Sequence, residues 1–155
     1  MKSVIPAICI VLLLTVLTGS NVAVSSTQEQ ARKLDEFGNV TCEDELARLD
    51  NFTNQLLDDA NAQGYLIIYG GRRGRRNEAK ARAARMKFYL VRNRGLNAKR
   101  IITLDDGYRQ ELTTELWVVR HGESAPLPTP SLGPGDVKLK GRVRVRGYYC
   151  GEGLG

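Results

Sequence analysis

Tyr65-Leu66-Ile67-Ile68-Tyr69 is an unbroken apolar and aromatic run with Gly64 before it and Gly70 after it. A run this short, bounded by turn formers, predicts a buried strand. Its neighbours decide the fold class. Upstream, Leu46, Leu49, Phe52 or Thr53, Leu56 and Ala60 recur at helical spacing, which predicts a helix over about 43–60 with one buried face. Thr41 is its expected N-cap, Glu43 to Glu45 suit the positive end of its dipole, and Asn61 and Gly64 mark its stop. Downstream, Ala79, Ala83, Met86 and Leu90 line one face of a second helix over about 77–94, widened by Ala84, Phe88 and Val91. Asn77 is placed to cap it, and Gly95 stands where a left-handed terminal residue is wanted. Arg100 to Leu104 predicts a second strand, ended by Asp105-Asp106-Gly107. Leu112 to Val119 predicts a third, with Leu112, Thr114, Leu116 and Val118 alternating against Thr113, Glu115, Trp117 and Val119.

The expected fold is therefore α/β (α+β), a two-layer sandwich of helices on a small mixed sheet. The strand–helix–strand portion should be a right-handed parallel crossover, and the last two strands should form a hairpin.

Beyond this unit the 155-residue chain changes character. Lys2, the apolar run Ile5 to Leu17 and the small residues Gly19, Ser20, Ala23 and Ser25 have the layout of a secretory signal peptide over residues 1–25. The run is short for a transmembrane helix, and a retained N-terminal anchor is the alternative. Cys9 inside it has no lipobox before it. Residues 26–41 are polar, with Leu34 and Phe37 their sizeable apolar side chains, and are expected to be a loosely ordered entry segment. The domain itself is expected over 42–120. Residues 121–136 hold Pro126, Pro128, Pro130 and Pro134, the mark of a linker or an extended wrap. In the tail, 137–155, Val137, Leu139, Val143, Val145 and Tyr149 alternate with Lys138, Lys140, Arg142, Arg144 and Arg146. That pattern predicts a strand with one apolar and one cationic side, suited to a sheet edge.

Cleavage of the leader removes Lys2 and no acid, which lowers the formal net charge from +6 to +5. The excess is unevenly placed. Residues 72–100 hold twelve Lys and Arg against Glu78 alone, whereas 43–59 is acidic with Arg48 its one base. Such asymmetry means either an anionic partner or two elements that neutralise each other, the arginines then forming a solvated helix face. Two cysteines remain after cleavage, Cys42 and Cys150, and in an oxidising compartment they are either bridged, tying the start of the domain to its tail, or two buried thiols.

The segment YGGRRGRRNEAKARAAR, residues 69–85, carries the strongest functional signal. A glycine-rich turn between a buried strand and a helix is a setting for an anion, because unpaired backbone N–H groups point outward there. It lacks the lysine–hydroxyl pair of a P-loop and the spacing of a dinucleotide fingerprint, so no nucleotide cofactor is expected. Backbone phosphates would suit the basic face, but export argues against nucleic acid as partner. His121 is the sole histidine, beside a proline-rich stretch, so neither a zinc site nor a catalytic set is expected. Turn chemistry accounts for Asp105 and Asp106. Asn39-Val40-Thr41 and Asn51-Phe52-Thr53 match glycosylation sequons, which matter only in a eukaryotic secretory pathway.

Over residues 43–119 the chain resembles the OmpA-like, peptidoglycan-associated domain of bacterial envelope proteins. The parallels are Leu66 to Gly70, then Arg82-Ala83, Tyr89-Leu90, Gly95-Leu96-Asn97-Ala98-Lys99-Arg100-Ile101, and Gly107. The resemblance implies a helix–strand sandwich that grips the diaminopimelate of peptidoglycan with a loop aspartate and a helix arginine. Arg82 matches that arginine. Where the family keeps the aspartate, this chain has Gly70-Gly71-Arg72-Arg73. The expectation is a non-catalytic exported protein, in the periplasm, associated with the outer membrane or extracellular. It would bind an anionic cell-envelope component through Arg72, Arg73, Arg75, Arg76 and Arg82. The alternative is a protein–protein interaction module that uses the basic C-terminal strand, and a small secreted enzyme stands behind both.

Overall fold

A computed structural model describes residues 29–145. Six main elements run β1 (Arg32–Phe37), α1 (Cys42–Leu57), β2 (Gln63–Gly71), α2 (Glu78–Phe88), β3 (Ile101–Arg109) and β4 (Thr113–Val119). The strands form one mixed sheet in the order β1-β4-β2-β3, with β2 and β3 parallel and β4 antiparallel to both β1 and β2. The sequence-derived sandwich is thus present as a small α+β fold. The leader, residues 1–25, and the last residues of the tail lie outside the described residues. No helix among the described residues is long and apolar enough to cross a membrane.

Thr41 caps α1, its Oγ1 accepting from Asp44 N at 3.2 Å. Leu49, Phe52 and Leu56 then fall on one face and are fully buried. They meet Ala83, Met86 and Leu90 from the second helical segment and Leu66, Ile68, Leu116 and Val118 from the sheet in one core. Apart from Ala83, each such side chain contributes roughly 1.5–3 kcal/mol by leaving water. The alternation foreseen in β4 thus sends Leu116 and Val118 toward the helices. The carbonyls at the end of α1 are met from a distance: Arg100 donates through Nε to Ala62 O (2.9 Å) and through Nη2 to Leu56 O (2.6 Å) and Asp59 O (2.7 Å). A cation on exposed carbonyls also matches the negative end of the helix dipole. Past Phe88 the helix widens into a π turn, Tyr89–Asn93.

Four expectations change. Residues 32–37, expected to be loosely ordered, form edge strand β1. Their polarity hid the strand, because β1 draws on its ladder with β4 and on ion pairs, with Phe37 its one buried core side chain. Arg48, for instance, holds Asp35 with two hydrogen bonds of 2.8 and 2.9 Å. Asp105-Asp106-Gly107 does not end β3, which runs on to Arg109 past a register shift opposite β2. Asn77 begins α2 but makes no side-chain cap; its backbone is left-handed (φ 63°).

The fourth concerns the hairpin: β3 and β4 do not pair. Their connection crosses the end of β2 and delivers β4 to the other side of that strand. Gly71 makes the crossing possible, since a Cβ there would stand 3.0 Å from Leu112 N and 3.5 Å from the Glu111 carbonyl carbon. The double glycine that looked like a phosphate loop serves first as a crossing point.

The proline-rich stretch proves to be a wrap, not a linker. On the sheet face away from the helices, Thr129 N donates to Tyr69 Oη (2.9 Å), and at the free edge of β3 Ser131 N and Leu132 N both donate to Tyr108 O (3.0 Å). Pro130 lies so close to Gly107 (φ +89°) that a Cβ there would come within 2.6 Å of it. This cover helps leave Ile67 and Tyr69 without solvent exposure.

Cys42 is the first residue of α1, and the chain's other cysteines, Cys9 and Cys150, lie outside the described residues, as does the expected bridge. The Cys42–Cys150 pairing is tested by non-reducing peptide mapping of the purified protein. The expected product is one cross-linked peptide pair holding both residues; two alkylatable thiols would dismiss the bridge.

Candidate functional site

Three loops meet at the end of the sheet where β2 stops. Arg72 N donates to Gln110 O at 3.2 Å, Gly74 N closes a turn onto Gly71 O at 3.0 Å, and Arg75 N donates to Glu78 Oε2 at 3.0 Å. Between the loops lies an open cavity of about 430 Å³, lined by Asn39, Gly71 to Gly74, Glu78 and Gln110 to Leu112. A smaller one, about 200 Å³, flanks the start of α2 beside Tyr108.

The candidate arginines do not converge on one place. Arg72, Arg73 and Arg76 are exposed around the loop. Arg75 is half-buried, with its guanidinium 3.6 Å from Glu78. Arg82 is 3% exposed. Its Nη2 donates to Asn39 Oδ1 at 2.6 Å, its guanidinium lies 3.7 Å from Glu45 and 3.9 Å from Glu78, and its Nε has no partner. The carboxylates that Arg82 meets are therefore the chain's own. Two of its neighbours, Asn39 and Glu78, line the larger cavity, so Arg82 stands behind the rim and braces it.

Glu45, itself 2% exposed, also takes Arg85, which donates from Nε at 3.0 Å and from Nη2 at 2.7 Å. Further along the same pair of helices Asp50 binds Arg94 and accepts from Tyr89 Oη at 2.7 Å. Arg94 holds the Asp50 carboxyl below its usual range, and the Tyr89 hydroxyl pulls the same way against a small cost of burial. The acidic first helix thus neutralises the second at Arg82, Arg85 and Arg94. The reading of two elements that neutralise each other holds for those residues and fails for the loop.

What sequence reasoning missed is where the tail goes. Its described part does not extend the sheet. Lys138 N donates to Arg72 O (2.7 Å), Lys140 N to Gly74 O (2.9 Å) and Val143 N to Arg76 O (2.9 Å), while Arg76 N donates to Gly141 O (3.2 Å). Val143 is buried at 7% exposure, and Lys138, Lys140, Arg142 and Arg144 are exposed. The alternation was visible in the sequence; its docking partner was not, since a loop of glycine and arginine offers no strand pattern to pair with. Among the described residues none of Arg72, Arg73, Arg76, Lys138, Lys140, Arg142 and Arg144 makes an ion pair. Asp136, just before the tail, turns its carboxylate to Gly133 N and offers Arg72 its carbonyl oxygen.

Among the described residues no group of three or more His, Cys, Asp or Glu is placed to hold a metal ion. His121 is exposed in a turn. No family model, no curated protein and no solved structure matches this chain, and no enzyme family is identified for it.

Proposed function

We propose that this chain is a non-catalytic exported protein of the bacterial cell envelope, with a divergent OmpA-like domain that associates with an anionic envelope component through its basic loop. One observation carries this reading. The fold neutralises the arginines of α2 internally but leaves Arg72, Arg73 and Arg76 exposed and, among the described residues, without an ion pair, Arg72 and Arg73 lining an open cavity. Unpaired guanidiniums on a loop held by backbone hydrogen bonds suit carboxylate or phosphate groups, which match the planar fork of arginine. Arg82 supports the site from behind, and its own carboxylate contacts remove it from direct capture. The tail as a docking strand for another protein is less favoured, because Lys138, Lys140 and Val143 already spend their N–H groups on the loop.

Retention on isolated cell wall provides the test. Binding should weaken steadily with salt, and Arg72/Arg73/Arg75/Arg76→Ala should lower it by roughly tenfold or more, given several exposed contacts of up to about 1 kcal/mol each. Retention indifferent to both salt and substitution would sink the reading.

A further inference from the structure

Resting on that reading of the basic loop, we propose that loop 72–76 and arm 137–145 together form one composite site for a linear polymer of phosphate groups. The two segments lie side by side: Lys138 N, Lys140 N and Val143 N donate to the carbonyls of Arg72, Gly74 and Arg76, and Arg76 N donates to Gly141 O. In an extended chain alternate residues share a side and stand about 6.6 Å apart. Lys138 and Lys140 follow that spacing on the exposed side; at Gly141 (φ +63°) the chain turns, and Arg142 and Arg144, also exposed, flank the buried Val143. The loop adds Arg72, Arg73 and Arg76 as a second cationic row alongside.

A two-row strip of cations that make no ion pair among the described residues fits a chain of repeating anions better than a single one. One exposed pair yields at most about 1 kcal/mol, so a lone phosphate or carboxylate gains little from any one of these side chains. A polyanion lying along the strip neutralises many at once and releases a counterion at each phosphate. The backbone ladder fixes the arm before binding, so little ordering cost falls on the complex. Neither 72–76 nor 137–145 contains an aromatic residue, so these stretches offer no platform on which bases stack. The phosphate chain itself is what they recognise.

The test titrates the full chain with inorganic polyphosphate several tens of units long, at a series of salt concentrations. The expected result is a linear fall of log affinity with log salt, of slope about 4–5 at roughly 0.7 per phosphate contact. Tripolyphosphate should bind at least tenfold more weakly. Lys138/Lys140/Arg142/Arg144→Gln should lower the slope by about 3 and leave the melting temperature unchanged, as all four are exposed. A slope near 1, equal binding of tripolyphosphate, or an arm variant that binds as the parent does would each overturn the composite site. Tighter binding of a single-stranded oligonucleotide of equal length would overturn it too, because bases would then be read. If cell-wall retention depends on the loop arginines but not on the arm, the composite site falls and the loop reading stands. If polyphosphate binding needs the arm while cell wall is not retained, the composite site stands and the envelope reading falls.

Discussion

Glu45→Ala is expected to cost about 3–5 kcal/mol, the usual penalty for removing one partner of a buried ion cluster. The side chains of Glu45 and Arg82 are each 3% exposed and that of Arg85 is 12% exposed. Without Glu45, Arg82 keeps only Asn39 Oδ1 at 2.6 Å and a long contact to Glu78, with its Nε already unpartnered. The penalty is the desolvated guanidinium left behind, not the strength of the lost bond. For a domain of this size the melting temperature should fall by well over 10 °C. The triple variant Glu45→Met/Arg82→Met/Arg85→Met should recover most of that loss, because it removes the stranded guanidiniums while buried Glu78 keeps Arg75 as its partner. A single variant that melts within about 2 °C of the parent would show that water reaches Arg82.

The second large effect lies on the opposite face of the sheet. Glu115 is 2% exposed in β4, accepts from Trp117 Nε1 (2.9 Å) and Arg109 Nη2 (2.8 Å), and lies 3.3 Å from Lys33 Nζ. Arg109 in turn sits 3.7 Å from the centre of the Tyr69 ring and donates to Thr129 of the wrap. Glu115→Ala is expected to cost about 3 kcal/mol and to loosen the wrap. Burial pushes the Glu115 carboxyl up, but the bonds from Trp117 and Arg109 and the charges of Arg109 and Lys33 outweigh it, so it lies below the ordinary glutamate range. A carboxyl depressed in the folded state stabilises the protein above its unfolded pKa, and that stability disappears as pH falls through the folded value. The parent should therefore lose stability on acidification from about pH 5 downward more steeply than Glu115→Ala, and denaturant melts across that range would show it. Parallel acid limbs for the two proteins would contradict this account of Glu115.

Local pattern made much of the fold legible. The helical spacing of Leu49, Phe52 and Leu56, the cap at Thr41 and the two faces of β4 all depend on residues within a few positions of one another, so they could be read in order along the chain. β1 was not legible, because an edge strand rich in charge has no period to detect and is stabilised by partners such as Arg48 and β4 that lie far along the chain. The hairpin expectation failed because proximity in sequence favours pairing β3 with β4. Gly71 lets the connection pass over β2 instead.

The candidate site divides in the same way. Sequence alone located a basic, glycine-rich turn at a strand–helix junction and counted its arginines, since composition and spacing are local properties. Only the tertiary structure sorted those arginines. Whether a guanidinium is neutralised depends on which carboxylate the packing of α1 against α2 brings to it, and Glu45 and Asp50 reach Arg82, Arg85 and Arg94 but not the loop. Only the tertiary structure laid the tail along Arg72 to Arg76, because backbone hydrogen bonds between segments some 65 residues apart leave no trace in the periodicity of either.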